Sequence, residues 1–264
     1  MYAFEYHRPR TLSGALADLA KKDAKALAGG MTLLPTMKQR LASPSAIIEL
    51  KDVAELSGLA REGDALVIGA MTRHAEVARS PVVKAAISAL AKLAAGIGDP
   101  HVRNRGTICG SIANNDPTAD YPAAALALGA AIVTNKRSIP ADAFFKGLFE
   151  TALETGELIT KVSFPIPQKA AYMKFPNPAS RYAIVGVFVA KTTGGVRVAV
   201  TGAGANGVFR ASAFESALNA NFSPSAIERT VASPDGLSSD IHADSDYRAH
   251  LIGVMARRAV AAAG

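Results

Sequence analysis

The chain has 264 residues, 49% of them hydrophobic, and 29 Lys and Arg against 22 Asp and Glu give it a formal charge of +7. That length suits one large or two modest domains, and two are expected. No apolar run reaches the ~20 residues of a membrane span, the start MYAFEYHRPR lacks a secretory pattern, and the positive residues are scattered without a basic run interleaved with aromatics, so the expectation is a soluble intracellular protein that does not bind nucleic acid.

In chain order, Leu12, Leu16, Leu19 and Ala20 share one helical face, and KALAGG reads as a short buried strand ending in glycines. TLLPTMKQRL then predicts a helix with Thr32 at its N-cap and Pro35 tolerated in the first turn, and AIIEL predicts the next strand. DALVIGAMT predicts a strand running into a cap at Thr72. PVVKAAISALAKLAAGIG predicts one amphipathic helix opened by Pro81 and closed by glycines.

The next stretch, DPHVRNRGTICGSIANNDPTADYP, carries turn residues nearly throughout and is too long for a plain connector, so function is expected there. Asp120 is placed to cap a short helix, PAAALALG, after which AIVTNKRSI and ELITKVSFPIP alternate like antiparallel strands. Pro165 and Pro167 mark a domain boundary. Beyond them, two β-rich runs in YAIVGVFVAKTTGGVRVAVTGAG are joined at Thr193, Gly194 and Gly195 as a hairpin, and helices are expected around Ala211 to Asn219 and Tyr247 to Ala262. The fold class read from this order is α+β, with an amino-terminal unit over 1–168, itself divided into 1–52 and 53–168, and a small α+β unit over 169–264.

Two segments carry the chemistry. In Ala28-Gly29-Gly30-Met31-Thr32-Leu33 two glycines stand where a strand hands over to a helix, so backbone N–H groups can face an anion such as a diphosphate; the alternative is a plain tight turn. The segment lacks the G-x-G-x-x-G fingerprint of a Rossmann site. Thr107-Ile108-Cys109-Gly110-Ser111, followed by Asn114 and Asp120, offers hydroxyls, an amide and a carboxylate suited to a polyhydroxylated chain. Each of these has a structural alternative: Thr107 and Ser111 bracing turns, Asn114 in a left-handed conformation, Asp120 as a helix cap. The five histidines, His7, His74, His101, His242 and His250, are too far apart for a metal set, and one cysteine cannot hold an iron–sulfur cluster, which normally takes four. His101, Arg103 and Arg105 could equally meet an acidic partner or a diphosphate.

The pair AGGMTLLPTMK and TICGSIANNDPTADYPAA resembles the two FAD-binding segments of medium subunits in the carbon monoxide dehydrogenase and xanthine dehydrogenase (molybdenum hydroxylase) family. The likeness extends from FEYHRPRTLSGAL through VIGAMTRHAEV and IGDPHVRNRGT to YRAHLIGVMARRAV, in matching order and spacing. It implies a two-part FAD-binding domain of the PCMH type followed by a small carboxy-terminal domain. It implies noncovalent FAD on this chain, the diphosphate against Ala28 to Thr32, Thr107 to Ser111 on the other side, and Asn114 and Asp120 on its hydroxyls. Leu158, Ile159 and Lys174 resemble positions that approach the flavin ring.

The same resemblance implies an oxidoreductase subunit that transfers electrons and needs no catalytic acid or base of its own. Its partners would be a large molybdenum–pterin subunit and a small subunit with two two-iron two-sulfur clusters, assembled as a dimer of heterotrimers in the cytoplasm or, through the complex, at the inner face of the membrane. The second reading is a free-standing NADH-dependent flavin reductase, and the third a binding module that has lost its cofactor. The chain departs from the family's usual T-x-G-G at Cys109. A positive φ there would strain a cysteine, whereas an ordinary backbone would let the thiol pack as a small apolar group, which is the expectation.

Overall fold

The computed structural model describes residues 1–264. It opens with strand β1 (Glu5–His7), helix α1 (Leu12–Leu19), strand β2 (Ala24–Leu27), helix α2 (Leu33–Lys38) and strand β3 (Ala46–Glu49). The strands pair in parallel in the order β1-β3-β2, and α1 and α2 lie in the crossovers that parallel pairing requires. Thr11 caps α1 by accepting from the Gly14 N–H, and α1 buries Ala15 and Leu19. Leu27, Met37 and Ile47 form a small cluster of their own.

Strands β4 (Leu59–Glu62) and β5 (Ala65–Gly69) begin a second sheet. Six helices follow: α3 (His74–Arg79), α4 (Pro81–Ala86), α5 (Ser88–Ala95), α6 (Pro100–Arg105), α7 (Ile108–Asn114) and α8 (Tyr121–Leu128). Next come strands β6 (Ala131–Thr134) and β7 (Ser138–Pro140), the short helix α9 (Ala141–Phe144), a small hairpin of β8 (Phe145–Gly147) and β9 (Glu150–Thr151), and strand β10 (Ile159–Pro165). The second sheet is antiparallel in the order β4-β5-β10-β6-β7, and α8, buried on every side, runs through the main core beside it.

Three expectations are corrected here. The single amphipathic helix from Pro81 is two, because Ile87 leaves the helical region at φ −142° and turns its β-branched side chain into the core. Thr72 caps nothing: the helix begins after Arg73, and the buried Thr72 bonds to the Gly58 and Ile108 backbone instead. The stretch read as irregular holds α6 and α7. Its turn-forming residues are the helix caps themselves, with Asp99 accepting from the Val102 N–H, Pro100 at the first helical position, Thr107 accepting from the Gly110 N–H, and Asn115 closing α7 at φ +44°.

The remainder contains strands β11 (Lys169–Pro176), β12 (Ala183–Thr192), β13 (Gly195–Thr201) and β14 (Phe209–Arg210), then helices α10 (Ser212–Ala220) and α11 (Ser245–Ala263). The strands form one antiparallel sheet in chain order. Val185, Val187 and Val189 of β12 face a cluster with Phe214 of α10 and Ile252 and Met255 of α11, whereas Phe188 and Ala190 face the main core. Burial on both faces explains why this strand is an almost unbroken apolar run rather than an alternating one. No helix is long and apolar enough to cross a membrane.

Candidate functional site

Where β2 ends, the chain passes through Ala28 to Leu33 before α2 starts. Gly30 takes φ +74°, a conformation open to glycine, and none of the six N–H groups from Ala28 to Leu33 has an acceptor among the backbone hydrogen bonds. Thr32 stands at the N-cap position of α2, but its side chain makes no capping bond, contrary to the expectation; its backbone leaves the extended conformation that capping requires, with φ −107° and ψ −50°. A run of unpaired N–H groups on a partly exposed turn is suited to an anion.

The second segment packs directly against the first. A Cβ on Gly29 would lie 2.3 Å from the Arg105 carbonyl oxygen and 2.6 Å from Gly106 Cα, and one on Gly110 would lie 3.5 Å from Ala28 Cβ. Gly29 therefore does more than turn the chain: it lets two backbones touch. The resulting cleft, of about 540 Å³, is within the ~300–1,000 Å³ usual for ligand sites.

Thirteen of the fifteen residues singled out in the sequence line it: Ala28, Gly29, Gly30, Met31, Thr32 and Leu33 from the first segment, Thr107, Cys109, Gly110, Ser111, Asn114 and Asp120 from the second, and Ile159 from the start of β10. Ile108 and Lys174 do not. Ile108 is fully buried in the main core, since α7 turns that side away. Lys174, expected as a cation near a ring, instead donates to Asp120 Oδ2 at 3.1 Å and to the Gly96 carbonyl at 2.9 Å, behind the cleft wall.

Asp120 is not a helix cap. Its side chain makes no capping bond to α8 and instead accepts from the Tyr172 hydroxyl and from Lys174, at 5% exposure. Burial pushes this carboxyl up, against Lys174 and Tyr172, which pull it back down. Thr107 does cap, as the structural alternative had it, and Asn114 is helical; the left-handed residue is its neighbour Asn115, whose amide donates to the Gly147 and Glu150 carbonyls at 2.8 Å each. Cys109 lies within α7 with an ordinary backbone and is 4% exposed, and burial pushes its thiol well up. Arg103 donates from Nη1 to the Ile97 and Gly98 carbonyls at 3.0 Å each.

Several lining residues escaped the sequence reading, among them Met71, His74, Ile97, Val102, Leu153, Arg181 and Tyr182. They come from four separate stretches of chain, none of them within the two glycine-bearing segments, and only folding assembles them. Glu157, also in the lining, holds the wall below Ile159: it accepts from Arg137 Nε and Nη2 at 3.0 Å each, from Thr134 Oγ1 at 2.7 Å and from the Glu154 N–H at 2.9 Å. Arg137 first of all draws its carboxyl down to about 2. The donor set as a whole, unpaired N–H groups, polar side chains and apolar walls from Met71, Ile97, Leu153 and Ile159, fits an extended ligand with an anionic segment, a hydroxylated segment and flat rings.

Comparison with known proteins bears on that ligand. The family described as the FAD binding domain in molybdopterin dehydrogenase matches residues 2–167. The carbon monoxide dehydrogenase medium chain of Hydrogenophaga pseudoflava is 35% identical over 277 residues, covering 98% of this chain and 96% of that protein. The nicotine 6-hydroxylase medium subunit of Paenarthrobacter nicotinovorans is 35% identical over 277 residues, covering 99% and 98%. A solved structure of carbon monoxide dehydrogenase from Hydrogenophaga pseudoflava, in a form lacking the Mo-pyranopterin moiety of its cofactor, superposes with a TM-score of 0.90 at 37% identity, covering 99% of this chain and 97% of that one.

Proposed function

Because the chain belongs to the family of FAD-binding medium subunits of molybdenum hydroxylases, we propose that the cleft between its two glycine-bearing segments is the FAD site of an electron-transferring oxidoreductase subunit. The run of unpaired N–H groups from Ala28 to Leu33, packed against the Arg105–Gly106 backbone, is the observation that carries this reading. Ala28 to Thr32 would bind the diphosphate, and Ser111, Asn114 and Asp120 would hydrogen-bond hydroxyls. Leu158 and Ile159 would pack against the ring. Lys174 and Tyr172 would orient Asp120 rather than touch the cofactor.

Bound FAD would supply a two-electron store that receives electrons from iron–sulfur clusters and yields them to an external acceptor. The chain's own share is to fix the cofactor's position, exclude water along the apolar wall and leave one side reachable. No residue is required to move a proton.

The partner subunits would be a large molybdenum–pterin chain and a small iron–sulfur chain, in a dimer of heterotrimers, cytoplasmic or held through the complex at the inner face of the membrane. Residues 1–168 would form the cofactor-binding unit and 169–264 the carboxy-terminal one. The relatives named above are subunits of larger dehydrogenases and hydroxylases, which gives no support to a free-standing NADH-dependent reductase. The substrate of the complex belongs to the molybdenum chain: carbon monoxide, an aldehyde, a purine or another N-heterocycle.

The test is an absorbance spectrum of the purified chain before and after mixing with FAD, with acid release of the chromophore. A flavin spectrum released by acid is expected. Absence of binding with FAD in excess, by the chain alone and by its assembled complex, would refute the reading. NADH oxidation by the chain without partners would favour the reductase.

A further inference from the structure

Helix α5 closes on its own last turn: the Gly96 N–H donates to the Lys92 and Leu93 carbonyls and the Ile97 N–H to that of Ala94. The next three carbonyls, of Gly96, Ile97 and Gly98, receive no backbone N–H, and cations take all three. Lys174 Nζ donates to Gly96 at 2.9 Å, and Arg103 Nη1 donates to Ile97 and Gly98 at 3.0 Å each. Neither cation lines the cleft, whereas Ile97, Gly98 and Val102 do. Gly98, at φ +46°, lies directly on Val102: an added Cβ would meet Val102 Cβ, Cγ1 and Cγ2 at 3.0, 3.1 and 3.2 Å. Lys174 also holds Asp120 Oδ2 at 3.1 Å, so one cation ties this turn to a polar group of the cleft.

Resting on the FAD reading above, we infer that Arg103 is a positioning residue for the cofactor: by gripping two consecutive carbonyls behind the Gly96–Gly98 turn, it sets Ile97 and Val102 as a wall against a flat ring of FAD. Charge-assisted bonds to the carbonyls commit them outside the cleft and leave apolar side chains as the lining. A wall fixed before the ligand arrives spares binding the cost of ordering it. A plain helix-end cap would stabilise the chain and leave the ligand indifferent; the turn's place in the lining is what sets Arg103 apart. The isoalloxazine and the adenine offer the wall the same chemistry, and fragments of the cofactor tell them apart.

The experiment titrates FAD into wild type, Arg103→Met, Arg103→Lys and Arg210→Met, well below every midpoint of thermal unfolding, reading flavin fluorescence. Arg103→Met removes both carbonyl bonds, and Arg103→Lys keeps a cation. Arg210→Met loses two contacts of 2.8 Å with Glu215 on elements outside the lining, and so serves as the control for lost stability. The Kd for FAD should rise on the order of tenfold in Arg103→Met and stay within about threefold of wild type in the other two. Wild-type affinity in Arg103→Met would overturn the inference. So would an equal loss in Arg210→Met, because lost stability would then explain both.

FMN, which lacks the adenine, and ADP, which lacks the flavin, identify the ring. A loss in Arg103→Met confined to one of them names the ring on the wall, and equal losses in both overturn the inference, since the whole cleft would have shifted. A measurement on wild type needs no variant to fold: FAD should slow hydrogen exchange at the amides between Ile97 and Val102. Unchanged exchange there in a protein that binds FAD overturns the role of the turn and leaves the FAD reading standing. Wild type that binds no FAD overturns the reading itself.

Discussion

Replacing Gly29 with alanine tests whether the two segments act as one clamp. The added Cβ would sit 2.3 Å from the Arg105 carbonyl oxygen and 2.8 Å from its carbon, both backbone atoms that no rotamer change can move. Ordinary non-bonded contact is ~3.5 Å, so the loops must part by roughly 1 Å. Forcing that separation costs about 1–3 kcal/mol, which in a chain of this size lowers Tm by roughly 5 °C. An N–H···O bond stretched by ~1 Å from 2.9 Å is no longer one, so loss of one or two bonds to the ligand should raise the Kd for FAD by on the order of 10- to 100-fold. Gly30→Ala is the comparator. Its Cβ meets leucine side-chain atoms, Leu34 Cδ1 at 2.9 Å, Leu27 Cδ1 at 3.1 Å and Leu34 Cγ at 3.2 Å, and the strain of φ +74° costs about 1–2 kcal/mol without parting the loops. FAD titration and thermal unfolding of both variants give the answer. A Gly29→Ala protein that loses the expected stability yet binds FAD like wild type would refute the clamp.

Other outcomes follow from the buried charges and the thiol. Lys174→Met strands the Asp120 carboxylate in the core at a cost of about 3–5 kcal/mol, and adding Asp120→Asn should return part of it; thermal unfolding showing simply additive losses would contradict the pairing. Glu157, held at about 2 against an ordinary 4.5, is a carboxylate whose folded-state value is depressed, so its contribution is complete above pH 4.5 and lost as pH falls toward 2; Glu157→Gln should flatten the stability curve in that window, and an unchanged slope would count against the Arg137 contact. Cys109 should resist iodoacetamide in the native protein and react on unfolding, with FAD slowing any residual alkylation, and rapid native labelling near neutral pH would show that the thiol is not packed as described.

Much of the fold was legible in local chemistry. The 3.6-residue pattern of Leu12, Leu16 and Leu19 found α1, and the Thr193-Gly194-Gly195 turn between two β-rich runs found the hairpin of β12 and β13, which closes with Thr192 opposite Gly195. Errors arose where one residue type serves two purposes. Asp, Pro, Thr and Asn in the 99–115 stretch mark turns and equally mark helix ends, and without the tertiary contacts α6 and α7 were read as loop. Ile87 had no punctuation to betray the break between α4 and α5, since its departure is decided by the core it enters.

The sequence by itself determined the two segments and their residue types, because a close backbone approach at Gly29 and a positive φ at Gly30 call for glycine and leave a local mark. Only the tertiary structure decided that Asp120 answers to Lys174 and Tyr172 rather than to its own helix, that Ile108 faces the core, and that His74 lies beneath Gly106 in the cleft. Those contacts join residues 32 to 54 positions apart, and at such separations neither period nor propensity carries information about which side chains meet.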